Sequence, residues 1–213
     1  MDKRKDNMER DPRGSANRPG APKGPRKAKQ RRADLLESAS RLFVEKGYAS
    51  TTMNEIAADA GFAKGTLYHY FSTKAELLMS LREEFDQRIE RLIRARVDRC
   101  RADDWRGRIR AWIAGAVDGY FALSDLHDVV IYGTEMPFRN SMLDSEVTRS
   151  LAALIADGVR AGAWKVEDCR WMAVMMFYCF RGGCDEAMTG TQQAGDIPDR
   201  LYPVFLRMLG IVD

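Results

Sequence analysis

Between positions 64 and 74 the chain reads Lys64-Gly65-Thr66-Leu67-Tyr68-His69-Tyr70-Phe71-Ser72-Thr73-Lys74, a run rich in side chains that donate hydrogen bonds to anionic oxygens. On a helix, Leu67 and Phe71 stand four apart and point into a core, so Gly65, Thr66 and His69 face the other way. Lys64, Tyr68 and Tyr70 flank that outer face, whose chemistry suits a polynucleotide. Gly65 allows close approach of a backbone, Thr66 can touch a base edge or a thymine methyl, and Lys64 can bond a guanine or a phosphate. Tyr68, His69 and Tyr70 offer hydroxyl or ring donors to phosphates, with a core role for one of the two tyrosines as the alternative. Upstream, Thr51 and Thr52 stand at the start of another helix, whose free amides and positive dipole end favour a phosphate. Lys74 is placed in the same way at the start of the next.

The elements that position these residues are legible from periodicity and caps. A first helix is predicted from Gln30 to Lys46, with Leu35, Leu36, Ala39, Leu42 and Phe43 on one apolar face. Lys46 in its last turn, Gly47 at the left-handed position beyond it and Tyr48 packing back mark its end. A second helix opens at Thr52, where Thr52-Met53-Asn54-Glu55 has the form of a capping box, and Gly61 ends it. After a tight turn, a third helix covers Lys64 to Phe71. Two short helices joined by a glycine-containing turn after a longer first helix make a helix-turn-helix unit.

Thr73-Lys74-Ala75-Glu76 forms a second capping-box pattern, from which a fourth helix is expected to run to Arg99 with Leu78, Leu81, Phe85, Ile89, Leu92 and Ile93 as its apolar stripe. Further helices are predicted at Trp105–Ala122, Leu126–Tyr132, Asp144–Ala161, Glu167–Met188 and Pro198–Leu209. Pro137 and the segment 189–197 mark loops. No strand-like alternation and no internal repeat is evident, so the fold class is all-α. The boundaries implied are a disordered, Pro/Gly-rich basic arm over 1–28, the helix-turn-helix domain over 29–75 and a helical domain over 76–213.

Charge divides the chain in the same way. Residues 1–32 carry twelve Lys/Arg against four Asp/Glu, a net +8, whereas the remainder is −5. A basic arm on a mildly acidic body suits an anionic polymer, because each neutralised phosphate releases counterions. From Ala33 to Met79 there are four basic and six acidic residues, so Arg31, Arg32 and the arm must supply much of the nonspecific attraction. An arm that follows the backbone or enters a minor groove is expected, with a solubility tail as the alternative. With 45% hydrophobic and 31% charged residues, no apolar run of spanning length and no secretory signal, a soluble cytoplasmic protein is expected. Cys100, Cys169, Cys179 and Cys184 show no C-x-x-C spacing, and with two histidines a structural zinc site is not expected. They read as buried hydrophobes, or as a redox thiol at Cys179 or Cys184. No G-x-S-x-G, P-loop, H-E-x-x-H or dinucleotide fingerprint is present, so no cofactor and no catalytic site is expected. Arg181-Gly182-Gly183-Cys184 looks like a nucleophile loop but lies inside a helical pattern without an evident histidine partner.

The stretch Gly47-Tyr48-Ala49-Ser50-Thr51-Thr52-Met53-Asn54-Glu55-Ile56-Ala57, then Ala60-Gly61-Phe62-Ala63-Lys64-Gly65-Thr66-Leu67-Tyr68-His69-Tyr70-Phe71 and Lys74-Ala75-Glu76-Leu77-Leu78, resembles the tetracycline-repressor (TetR) family from Leu35 to Leu81. Ala63 departs from the family pattern, where a polar cap or proline is frequent, so a looser start to the third helix is expected. The resemblance implies a homodimeric, ligand-responsive regulator, most often a repressor, on a palindromic double-stranded DNA operator. It also implies that the last two long helices of each subunit form a four-helix dimer interface. Control by cysteine oxidation or a protein partner, and nonspecific architectural binding, are the rival readings.

For the sensor half, aromatic residues with polar handles suggest a pocket for a small, flat, largely apolar or aromatic ligand. Trp112, Ala116 and Tyr120 share one helical face and are the first candidates, followed by Tyr132, Glu135, Met136, Phe138, Met175 and Tyr178. An ordinary helical core is the alternative for each. Glu135, if buried, would favour a cationic ligand.

Overall fold

The computed structural model describes residues 25–124, 128, 144–190 and 193–211, and among these every regular element is helical. Helix α1 spans Pro25–Lys46, α2 Met53–Asp59, α3 Lys64–Tyr70 and α4 Lys74–Val97. Helix α5 spans Trp105–Ala122, α6 Glu146–Arg160 and α7 Cys169–Met188, and a 3-10 turn at Ala194–Asp196 leads into α8, Ile197–Met208. The expected helix over Leu126–Tyr132 and the arm's residues 1–24 lie outside the described residues.

Local signals account for the first three helices. Gly47 takes φ +83° and its amide donates to the Phe43 carbonyl at 3.0 Å, while the Tyr48 ring packs edge-on to Phe43. Glycine reaches that left-handed conformation without the penalty a Cβ brings. Thr52 caps α2 reciprocally with Glu55: the Glu55 amide donates to Thr52 Oγ1, and the Thr52 amide donates to Glu55 Oε2 at 2.9 Å. Helix α3 starts without a side-chain cap at Ala63, as its residue type dictates. Leu35, Leu36, Phe43, Ile56, Leu67 and Phe71 are buried together, in a core that continues into the helical half.

Two helix boundaries and one cap stand out among the differences from the sequence-based expectation. Helix α1 begins at Pro25 and not at Gln30, so the end of the 1–28 arm is helical. A proline at the first helical position loses no needed amide, and Lys27, Ala28, Lys29 and Gln30 are good helix formers. At α4 only half of the predicted capping box forms. Thr73 Oγ1 accepts from the Glu76 amide at 3.1 Å, but the Glu76 carboxylate takes the Ser72 amide at 2.7 Å. Helix α4 also ends at Val97, two residues early, with its C-cap at Asp98.

The second half is organised by close helix approach. Helix α5 lies against α4 through Gly115 and Gly119; a Cβ at Gly115 would sit 2.7 Å from the Ile93 Cα. The loop after α6 folds back so that the Trp164 ring covers Gly158, and its Nε1 donates to the Ile155 carbonyl at 2.8 Å. Trp112 on α5 meets Phe180 on α7 and Phe205 on α8, tying three helices at one ring. Since α4 starts in the N-terminal unit and ends in this core, one continuous element joins the two.

Candidate nucleic-acid interface and sensor cavity

Helix α3 presents the face its sequence requires. Leu67 is buried, while Lys64, Gly65, Tyr68 and His69 are exposed and Thr66 is half-buried. Tyr68 is 43% exposed with the Lys64 ammonium 5.7 Å from its ring centroid, a loose pairing that leaves both polar ends in solvent. Tyr70 is the tyrosine that turns inward: it is half-buried, packs on the core and meets His69 edge-on. Thr52 is exposed beside this face, although its hydroxyl already serves Glu55. Lys46 and the Thr52 donors hold the Glu55 carboxyl down at about 2, in that order of effect. The start of α2 therefore keeps its charge pattern throughout the neutral range.

Other predicted contact residues have structural work instead. Thr51 is 1% exposed, and its hydroxyl lies 2.9 Å from the Gly47 carbonyl and 3.2 Å from that of Leu42. It locks the α1–α2 loop from inside and offers nothing to a phosphate. Lys74 Nζ donates to the carbonyls of Tyr48 (2.6 Å), Thr51 (2.8 Å) and Ala49 (3.2 Å), and lies 4.4 Å from the Tyr48 ring centroid. An ammonium has three donors, and all three are spent. Lys74 thus clamps the loop that leads into α2, a role that spacing alone did not reveal. Arg32 is drawn toward α4: it donates to Ser80 Oγ at 2.9 Å, lies 3.7 Å from Glu84 and stacks 5.1 Å from the Phe71 ring centroid. Arg31 is half-buried on the same helix.

In the helical half, Trp112, Ala116 and Tyr120 do share a face, but it points into the core. All three are buried; Trp112 Nε1 donates to Ser150 Oγ at 3.3 Å, and the Tyr120 hydroxyl donates to Asp185 at 2.6 Å. Met175 and Tyr178 are corrected in the opposite sense, being 42% and 44% exposed on the outer side of α7 beside Trp171 at 63%. They fall on the exposed side of α7, opposite the buried Ala173, Met176, Phe177 and Phe180. Tyr132, Glu135, Met136 and Phe138 lie outside the described residues.

Aromatic content points to a pocket in the sequence but does not reveal two arginines that the structure brings to one. A narrow cavity of about 30 Å³ lies where α4, α5, the start of α6 and α7 meet. Its lining includes Phe85, Ile89, Tyr120, Phe177 and Phe180, with Arg82 and Arg181 among them. Both arginines are buried, at 3% and 7% exposure. Their signal in the sequence is an arginine at a core-facing register of an otherwise apolar stripe. Asp86, also on the lining, is pushed up to about 6 because burial outweighs the attraction of Arg82.

All four cysteines are free, and Cys184 is fully buried. Desolvation and then Asp185 push its thiol far above the ordinary range, the reverse of what a reactive thiolate requires. Among the described residues there is no group of three or more His, Cys, Asp or Glu placed to hold a metal ion, and no helix is long and apolar enough to cross a membrane.

Residues 35–81 match the family model described as bacterial regulatory proteins, tetR family. The HTH-type transcriptional regulator TtgR of Pseudomonas putida is 38% identical over 68 residues, which is 32% of this chain and 32% of that protein. The chain thus aligns with about a third of the length of such relatives. A longer alignment, 28% identical over 167 residues, covers 73% of this chain and 80% of the fatty acid metabolism regulator protein of Bacillus subtilis. The solved structure of the fatty acid degradation regulator FadR from Bacillus halodurans superposes with a TM-score of 0.65 at 23% identity, covering 89% of this chain and 97% of that one. That likeness extends the shared all-helical architecture to the second half.

Proposed function

We propose that this chain, whose residues 35–81 match the tetR family of bacterial regulatory proteins, is a sequence-specific DNA-binding transcriptional regulator of the bacterial cytoplasm, acting as a ligand-responsive homodimer and chiefly as a repressor. The observation that carries this reading is the outer face of α3, where Lys64, Gly65, Tyr68 and His69 are exposed on a helix anchored by Leu67. Gly65 brings the backbone to the major groove, Thr66 and Lys64 meet base edges or phosphates, and Tyr68 and His69 meet phosphates. Thr52 and the start of α2 contribute from the side.

One such unit offers few contacts, so two copies on half-sites roughly one helical turn (~34 Å) apart supply specificity. Trp171, Met175 and Tyr178 recur at i, i+4 and i+7 on α7 and leave an apolar stripe exposed in the single chain. A second copy covers that stripe by two-fold symmetry, with α7 and α8 of each protomer forming a four-helix interface. Helix α4 is the lever between the two functions: it starts beside the Lys74 clamp and carries Phe85 and Ile89 to the cavity. A small, largely apolar ligand that prefers the DNA-incompatible state by about 100-fold shifts the equilibrium by about 2.7 kcal/mol.

Selection of bound sequences from a random double-stranded DNA pool tests this. A palindromic consensus with two half-sites is expected. No enrichment, with binding that simply fades as salt rises, would mean a nonspecific basic binder and would overturn the proposal.

A further inference from the structure

The cavity at the α4–α7 junction combines an apolar lining with two buried cations. Its walls are aromatic and aliphatic, yet two guanidinium groups, Arg82 from α4 and Arg181 from α7, are buried in them. Burying an arginine is costly, and a well-packed apolar residue at such a site is often neutral or stabilising. The two positive charges also disfavour one another. Each has an aspartate one turn further on, and each aspartate answers to a second influence. Asp185 lies 3.9 Å from Arg181 and also accepts the Tyr120 hydroxyl at 2.6 Å. Asp86 is held toward its neutral form by its own burial. The charged groups farther out, Glu146 and Arg149 at the start of α6, pair with one another at 3.3 Å.

We propose that this cavity receives a small apolar molecule that ends in a carboxylate, with Arg82 and Arg181 taking the head group and Phe85, Phe177 and Phe180 the apolar body. The proposal rests on the helical half being the sensor and names its ligand class. A cavity of about 30 Å³ holds one or two waters, the space of a carboxylate head. The planar guanidinium fork matches a carboxylate with two parallel hydrogen bonds, and an enclosed apolar setting strengthens them. The body of the ligand enters by parting α4 from α7, since Arg82, Phe85 and Ile89 belong to one and Phe177, Phe180 and Arg181 to the other. Recognition of the head group therefore acts directly on the helix that leads to the DNA-contacting unit.

Calorimetric titration of the full chain with benzoate, decanoate and hexadecanoate, each beside the alcohol and the ammonium compound of the same carbon skeleton, tests the proposal. At least one carboxylate is expected to bind about tenfold or more tightly than both of its counterparts. Arg181→Met and Arg82→Met should each remove most of that preference, and Arg181→Lys should retain part of it. Equal affinity for the three head groups, a stronger ammonium, no carboxylate binding below about 1 mM, or equal weakening of all three by the arginine substitutions would overturn it. If the arginine variants fail to fold, the head-group series on the unaltered chain decides alone. Operator selection is scored separately. Enriched DNA without a carboxylate preference sinks the cavity proposal and spares the regulator; a carboxylate preference without enriched DNA does the reverse.

Discussion

Residues 35–81 and the helical half that follows are held together over different distances along the chain. In the first, capping joins residues three apart, Thr51 reaches back nine residues, and the longest clamp, Lys74 to Tyr48, spans 26. In the second, Trp112 bonds Ser150 across 38 residues, Tyr120 bonds Asp185 across 65, and Arg110 pairs with Asp199 across 89. Short-range contacts lose little loop-closure entropy and depend on residue types that neighbour one another. Long-range contacts depend on which helices meet, and a glycine or a buried charge there matters only once they do. The N-terminal unit is accordingly fixed by local residue types, while the helical half is fixed by how its helices meet.

The sharpest way to break the comparison is at the α4–α5 seam. Gly115→Val places a side chain against the Ile93 backbone, which cannot yield as a flexible side chain would. A loss of about 3 kcal/mol or more is expected in urea unfolding, with the α3 face intact in any surviving native fraction. If Gly115→Val is neutral, the two helices are not held as tightly as their glycines imply. In the N-terminal unit, Lys74→Met strips three loop carbonyls of their shared donor, and about 2 kcal/mol of stability is expected to go. DNA affinity should fall with it at every sequence, because the loop leading to α2 is no longer held. Tyr68→Phe, on the exposed face, should weaken DNA binding while leaving the melting temperature unchanged.

Asp86 tests the second half from its charge. Its folded pKa of about 6 lies above the ordinary 3.8, so the native state binds more protons between those values and stability falls as pH rises through them. Asp86→Asn should therefore gain about 1–2 kcal/mol at pH 7.5 and nothing below about pH 4. A gain that persists at low pH would assign the effect to packing. The smallest effect belongs to the cap. Thr52→Ala should cost about 1 kcal/mol, read by chemical denaturation. Glu55 has a depressed pKa, so its contribution is present above the ordinary carboxylate range and is lost only as pH falls toward about 2.

These contrasts also explain what could be read in advance. The left-handed Gly47, the Thr52 cap and the inward Leu67 follow from residue type and spacing, and the structure places them where the pattern required. The pattern could not tell that Thr51 and Lys74 face the protein, because both choices leave the helix boundaries unchanged. In the second half, helical periodicity located α5, α6, α7 and α8 to within a few residues. It cannot say which face of α7 meets α5, and so it points Met175 and Tyr178 toward a pocket although they lie on the outer side.

The amino-acid sequence by itself determined the helical class, the helix-turn-helix unit and the exposed chemistry of α3, since these depend on propensities, caps and i, i+4 neighbours within a few turns. Only the tertiary structure decided that Lys74 is a clamp, that Trp112 is a hub between α5, α7 and α8, and that Arg82 and Arg181 enter one cavity from two helices 99 residues apart in the chain. Those are properties of how helices meet, and packing partners distant in sequence carry no local periodicity from which to read them.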